Sequence, residues 1–259
     1  MNNLIELHRS GFVATISFNR EDRLNALNLA AWRELATAFE TVSADMDLRC
    51  VVLRGMGCKA FAAGADISEF ATLRSDPVRA ENYDATLRRG LAAVADCPHP
   101  VVAQIYGPCV GAGLELAAQC DLRLAARSAR FGVPVGKISV VMTLPELAGL
   151  QRLVGPARMS EILLEGRVFP ADEALSMGLV HRVVEDEALE GEVQATLRRI
   201  TANAPLVNRR HKAFIRRVGE GGAFSAADLA AAHDCLQTRD FAEGMAAFSE
   251  KRPPRFIGA

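Results

Sequence analysis

Between residues 50 and 126 short apolar runs alternate with helical patterns, and two of these runs each lead into a loop of glycine and alanine. Val51-Val52-Leu53 closes on Arg54-Gly55 and reads as a strand buried on both faces. The first small-residue loop, Phe61-Ala62-Ala63-Gly64-Ala65-Asp66, follows it. Asp76-Pro77 places an N-cap before a proline at the first turn, which predicts a helix running to about Cys97, where Pro98 and Pro100 stop it. Val101 to Tyr106 reads as a second buried strand, Gly107 to Gly113 as a glycine-rich turn, Leu114 to Ala118 as a short helix and Cys120 to Ala126 as a third strand. Such alternation specifies an α/β architecture.

The flanks complete this frame. Leu4 to Leu7 and Phe12 to Phe18 alternate around Ser10-Gly11 and predict a β-hairpin. Leu29, Trp32, Leu35, Ala36 and Phe39 recur at helical spacing. Beyond residue 143 only Leu179 to Val184 carries a strand signal, and helical patterns cover 144–154, 157–165, 171–177, 187–203, 205–218, 225–238 and 241–250. The expected organisation is an α/β core over residues 1–195 and a helical region over 196–259, forming one folding unit.

Composition narrows the partners. Thirty basic against 31 acidic side chains leave a formal charge of −1, so no broad field exists to hold nucleic acid or an anionic membrane. No window reaches the roughly 18 uninterrupted apolar residues of a membrane span, and Met1 to Glu6 lacks the basic start and apolar run of a secretory signal. Cysteines 50, 58, 97, 109, 120 and 235 are scattered without a Cys-x-x-Cys pair, and read as reduced, mostly buried thiols of a cytoplasmic protein.

Several familiar signatures fail. Gly111-Ala112-Gly113-Leu114-Glu115-Leu116 lacks the third glycine of a dinucleotide loop, and an acidic residue there would repel a pyrophosphate. Gly132 to Ile138 has too short a spacer for a phosphate loop and no Ser or Thr after Lys137. The five histidines are isolated and none has metal-ligand spacing with Cys or a carboxylate, so no metal site is expected. Asn208-Arg209-Arg210-His211-Lys212 with Arg216-Arg217 reads as a solvated helix face.

The two small-residue loops remain. Small residues let backbone approach a ligand, and the second loop opens a helix whose first N–H groups lack internal partners. Such donors suit an oxyanion that develops during a reaction. Glu115 lies one turn after Ala112 among Leu114, Leu116, Ala117 and Ala118, so its carboxyl can flank the same space. Burial would raise its pKa toward neutrality, as proton transfer requires. A capping or surface glutamate explains the same residues equally well.

Phe61 to Ile67, and Ile105 to Asp121 with Gly111-Ala112-Gly113, Glu115-Leu116-Ala117 and Cys120-Asp121, resemble the two hallmarks of the enoyl-CoA hydratase/isomerase (crotonase) superfamily. Asn25-Ala26-Leu27, Phe131-Gly132-Val133-Pro134, Gln151-Arg152-Leu153, Ala174 to Val180 and Glu243 to Phe248 match in order along almost the whole chain. The resemblance implies a spiral core of ββα units, a helical C-terminal trimerisation region, and homotrimers that often pair into hexamers. It implies an acyl-CoA thioester substrate, with CoA as a handle and no metal or redox cofactor. By position, the N–H groups of Ala65 and Ala112 would hold the thioester oxygen. Arg23, Leu24, Ala26, Ala63, Asp66 and Ile67 would border CoA, with Gly111 and Val135 at the substrate, and Phe248 and Lys251 would reach CoA of the same or a neighbouring subunit.

One departure matters. The family's hydratases use two glutamates; Glu115 matches the first, but Val135 stands at the second. The following segment is about three residues longer than in typical members. Pro145 suits the first turn of a helix there, and Glu146 falls where such members carry a glycine lining the site. Glu146 is therefore a candidate partner for Glu115, against the alternative that it stabilises its helix end from the surface. Hydration or dehydration through an oxyanion-stabilised enolate is the leading expectation. Double-bond isomerisation with one carboxylate, other enolate chemistry, or a non-catalytic acyl-CoA binder are the alternatives.

Overall fold

The computed structural model describes residues 3–259; Met1 and Asn2, the start of the stretch read above for a secretory signal, lie outside the described residues. The chain opens with the hairpin β1 (Ile5–Ser10) and β2 (Val13–Phe18), then α1 (Leu29–Ala44) and β3 (Cys50–Gly55). After a short α2 (Phe70–Leu73) come α3 (Pro77–Asp96), β4 (Val101–Ile105), β5 (Pro108–Val110), α4 (Ala112–Gln119), β6 (Leu122–Ala126) and β7 (Arg130–Gly132). α5 (Leu144–Glu165), β8 (Phe169–Pro170), α6 (Ala171–Ser176), β9 (Arg182–Val184) and α7 (Leu189–Thr201) follow, and α8 (Pro205–Glu220), α9 (Ala226–Ala230) and α10 (Arg239–Ser249) end the chain.

Six strands form one sheet in the order β1-β2-β3-β4-β6-β9. Only the β1–β2 hairpin is antiparallel in this sheet; the remaining pairs are parallel, and the central strands β3 and β4 are covered on both faces. β5, β7 and β8 make a second, three-stranded sheet. Sequence reading missed this sheet because its strands have two or three residues each, too few for a period to show; Pro108 to Val110 is strand and not turn.

Helix boundaries follow local chemistry. Asn28 and Asp76 cap α1 and α3 through their side chains, and Pro77 opens α3. α1 and α3 cross where Gly90 meets Trp32: a Cβ on Gly90 would lie 2.6 Å from the indole. α5 breaks at Gly155, whose φ of 74° is followed by Pro156, so the expected pair of helices is present as one kinked element. The 225–238 helix instead splits into α9 and a 3-10 turn.

The basic face of α8 corrects an expectation. It is not simply solvated: although His211 is exposed, Lys212 is buried and donates to the carbonyl of His99 (2.9 Å) and to Asp121 (2.7 Å). Arg209 donates to the Leu48 carbonyl, and Arg216 reaches both Ala95 O and Asp96 at the end of α3. A helix C-terminus exposes unpaired carbonyls and partial negative charge, and Arg216 meets that of α3.

Candidate active site

The two small-residue loops are zipped together. Ala62 N–H donates to Pro108 O, Val110 N–H donates to Ala62 O, and Phe61 N–H donates to Tyr106 O. Beneath them the buried Asn25 amide donates to the carbonyls of Met56 and Ala60. No side chain keeps them apart: a Cβ on Gly113 would fall 2.4 Å from Ala62 O.

This packing frees two donors. Leu27 N–H donates to Gly64 O and Asp66 N–H to Leu27 O, which fixes the backbone on either side of Ala65. Gly111 N–H donates to Gly132 O and starts α4 at Ala112. The N–H groups of Ala65 and Ala112 have no acceptor among the described residues. Gly64, at φ 111°, and Gly111, at φ 52°, turn these segments toward each other; a Cβ on Gly64 would lie 3.9 Å from the Ala112 nitrogen. Both donors border a cavity of about 270 Å³.

Glu115 and Glu146 line that cavity too. Glu115 is 4% exposed and its Oε2 has no hydrogen-bond partner among the described residues. Burial, reinforced by the negative charge of Glu146, pushes its carboxyl up to about 8, opposed by the weaker attraction of Arg74. Glu146 is 5% exposed, so it does not sit on the surface. Its Oε2 accepts the Thr143 N–H at 2.5 Å in the first turn of α5, where the helix dipole favours an anion. α4 and α5 approach so closely that a Cβ on Gly149 would meet the Gln119 amide at 2.3 Å, which brings both glutamates to one space.

The remaining candidates divide. Ala63, Ile67, Gly111 and Val135 line the cavity. Arg23, Leu24, Ala26, Asp66, Phe248 and Lys251 do not. Asp66 pairs with Arg20 at 2.9 Å and caps the turn at Ser68, while the Ala26 carbonyl accepts from Arg20 and Leu24 O from Ala63 N–H. Phe248, 84% exposed, and Lys251 stand on the outside of the C-terminal region. Sequence reading missed the cavity walls Arg74, Tyr83, Lys137 and Met142; they come from segments with no motif. A wider cleft of about 670 Å³ beside the C-terminal tail shares none of these residues and is walled by the Arg252–Glu243 pair and by Asp240. Among the described residues no cluster of three or more His, Cys, Asp or Glu could hold a metal ion, and no helix is long and apolar enough to cross a membrane.

The family model described as enoyl-CoA hydratase/isomerase matches residues 8–259. The chain belongs to this family. A protein named probable enoyl-CoA hydratase echA8 from Mycobacterium bovis is 37% identical over 257 residues, covering 97% of each chain. The crotonyl-CoA hydratase of Syntrophomonas wolfei is 33% identical, over 98% of this chain and 97% of that one. Among solved structures, an enoyl-CoA hydratase/carnithine racemase from Magnetospirillum magneticum superposes with a TM-score of 0.98 at 55% identity, covering 100% of this chain and 97% of its own. The mixed α/β fold is thus the crotonase fold, and membership of the enoyl-CoA hydratase/isomerase family makes the chain an enzyme of the lyase type.

Proposed function

We propose that the protein hydrates enoyl-CoA thioesters, and reverses that reaction. The carrying observation is that Glu115 and Glu146 wall the same cavity as the unused N–H groups of Ala65 and Ala112. The thioester oxygen accepts from both N–H groups, which stabilises the enolate as it forms. Glu146 takes a proton from water as its oxygen bonds to the β-carbon. Glu115, protonated near neutral pH, gives its proton to the α-carbon. The product is the 3-hydroxyacyl thioester, and the two carboxyls then exchange one proton to reset. Val135 cannot move a proton; it serves as an apolar wall. Glu146 supplies the second carboxyl from a different element, which removes the premise of a one-carboxylate isomerase. The names of relatives such as the crotonyl-CoA hydratase support this reading.

CoA then lies along Arg23, Leu24, Ala26, Ala63, Asp66, Ile67 and Gly111, and no further cofactor is required. Phe248 and Lys251 reach CoA from a neighbouring copy. The exposed apolar side chains Ile215, Val218, Leu229, Phe241 and Met245 on α8 to α10 support a homotrimer or a pair of trimers, with 196–259 an integral part of one folding unit. The unpaired cysteines support a reducing compartment such as the cytoplasm. Incubation with a panel of 2-enoyl-CoA thioesters, read by mass, tests the activity: a gain of one water is expected, and an isomer or unchanged substrate overturns the reading.

A further inference from the structure

Arg74 and Tyr83 line the reaction cavity but take no part in the chemistry above. The Arg74 guanidinium lies 5.0 Å from the Phe70 ring centre and 4.9 Å from that of Tyr83, and these rings meet edge to face at 5.6 Å. Among the described residues one hydrogen bond holds it, from Nη2 to Asp84 Oδ1 at 2.5 Å, and its Nε is buried without a partner. The Arg74 side chain is 20% exposed and lines the cavity. A second cation, Lys137, lines the same cavity, as do the carboxyls of Glu115 and Glu146. A hydrocarbon tail packed here would cover guanidinium N–H groups without replacing their water, which is costly. A carboxylate would instead accept them in charge-assisted bonds that suit the fork of an arginine.

We propose that the acyl chain accepted by this site ends in a carboxylate, which Arg74 binds in the cavity. This inference rests on the hydratase reading and names its substrate class, the 2-enoyl-CoA thioesters of dicarboxylic acids. The Asp84 contact holds the guanidinium against α3 and engages one nitrogen, leaving others to bind the substrate carboxylate.

The test compares hydration of glutaconyl-CoA, and of its homologues longer by one and two methylenes, with isosteres in which isopropyl replaces the carboxylate (5-methylhex-2-enoyl-CoA for glutaconyl-CoA). For at least one pair, kcat/KM should favour the carboxylate by about ten- to a hundredfold, the worth of a hydrogen bond to a charged group. In R74M that ratio should fall to about one, whereas a merely structural arginine would lower both substrates alike. R74K keeps a cation against Asp84 and should retain part of the preference, which covers a folding failure of R74M. The inference is overturned if no carboxylate is preferred, or if the preference survives in R74M. Hydration of crotonyl-CoA alone would overturn it while leaving the hydratase reading intact; hydration of no enoyl-CoA would remove both.

Discussion

Glu115 combines two demands that ordinarily conflict, a carboxyl and an apolar setting. Its neighbours Leu114, Leu116 and Ala117 already hint at that setting, whereas the unpartnered Oε2 becomes visible only in three dimensions. Replacement by Gln should lower turnover by about 10²–10⁴-fold while CoA thioesters still bind, as checked by steady-state kinetics and calorimetric titration. As the proton donor, Glu115 works in its protonated form, so kcat should decline as pH rises through about 8. The same carboxyl links stability to pH. From its usual 4.5 up to about 8 it is protonated when folded and ionised when unfolded, so stability falls as pH rises across that window. Melting temperatures of wild type should therefore drop between pH 5 and 8 relative to Glu115→Gln, and parallel curves would contradict the buried acid. At Ala112, proline is compatible with a first helical position but deletes the N–H, whereas serine keeps it. Ala112→Pro should lose about 10²–10³-fold in kcat and Ala112→Ser far less.

At the level of elements, legibility followed length. The long parallel strands and α1, α3 and α8 were readable from period and caps, but β5, β7 and β8 were too short to announce themselves. Glu146 was readable as a first-turn residue because Pro145 and Thr143 mark the start of α5. Its inward aim was not, because that depends on α5 pressing against α4 at Gly149 and Gln119. The basic run of α8 misled for a related reason: its partners are carbonyls of residues 48, 95 and 99, far away in sequence. Removing one such partner tests the point. Lys212→Met removes the donor to the His99 carbonyl and the cation beside Asp121, which keeps the Val101 N–H, and denaturant unfolding should show a loss of about 1–3 kcal/mol. Gly113→Ala should separate the two loops at Ala62 and depress activity even where the protein still folds, since both oxyanion donors depend on that contact.

Across the whole molecule, the site is gathered from residues 62–66, 112–115 and 135–146, held by strands whose neighbours in the sheet come from distant parts of the chain. Parallel pairing of this kind postpones reward: each crossover must close before the next strand gains a partner, so such topologies fold slowly. The single tryptophan, Trp32, sits in the α1–α3 crossing and reports on that crossing alone. On dilution from denaturant its fluorescence should recover before hydratase activity does, and simultaneous recovery would show that the crossing and the site form in one step. During synthesis the same order leaves a nascent chain with its sheet begun and its chemistry absent until the ribosome has passed α5. The apolar strand edges exposed in that interval are where this chain is most open to aggregation, and where a chaperone would find it.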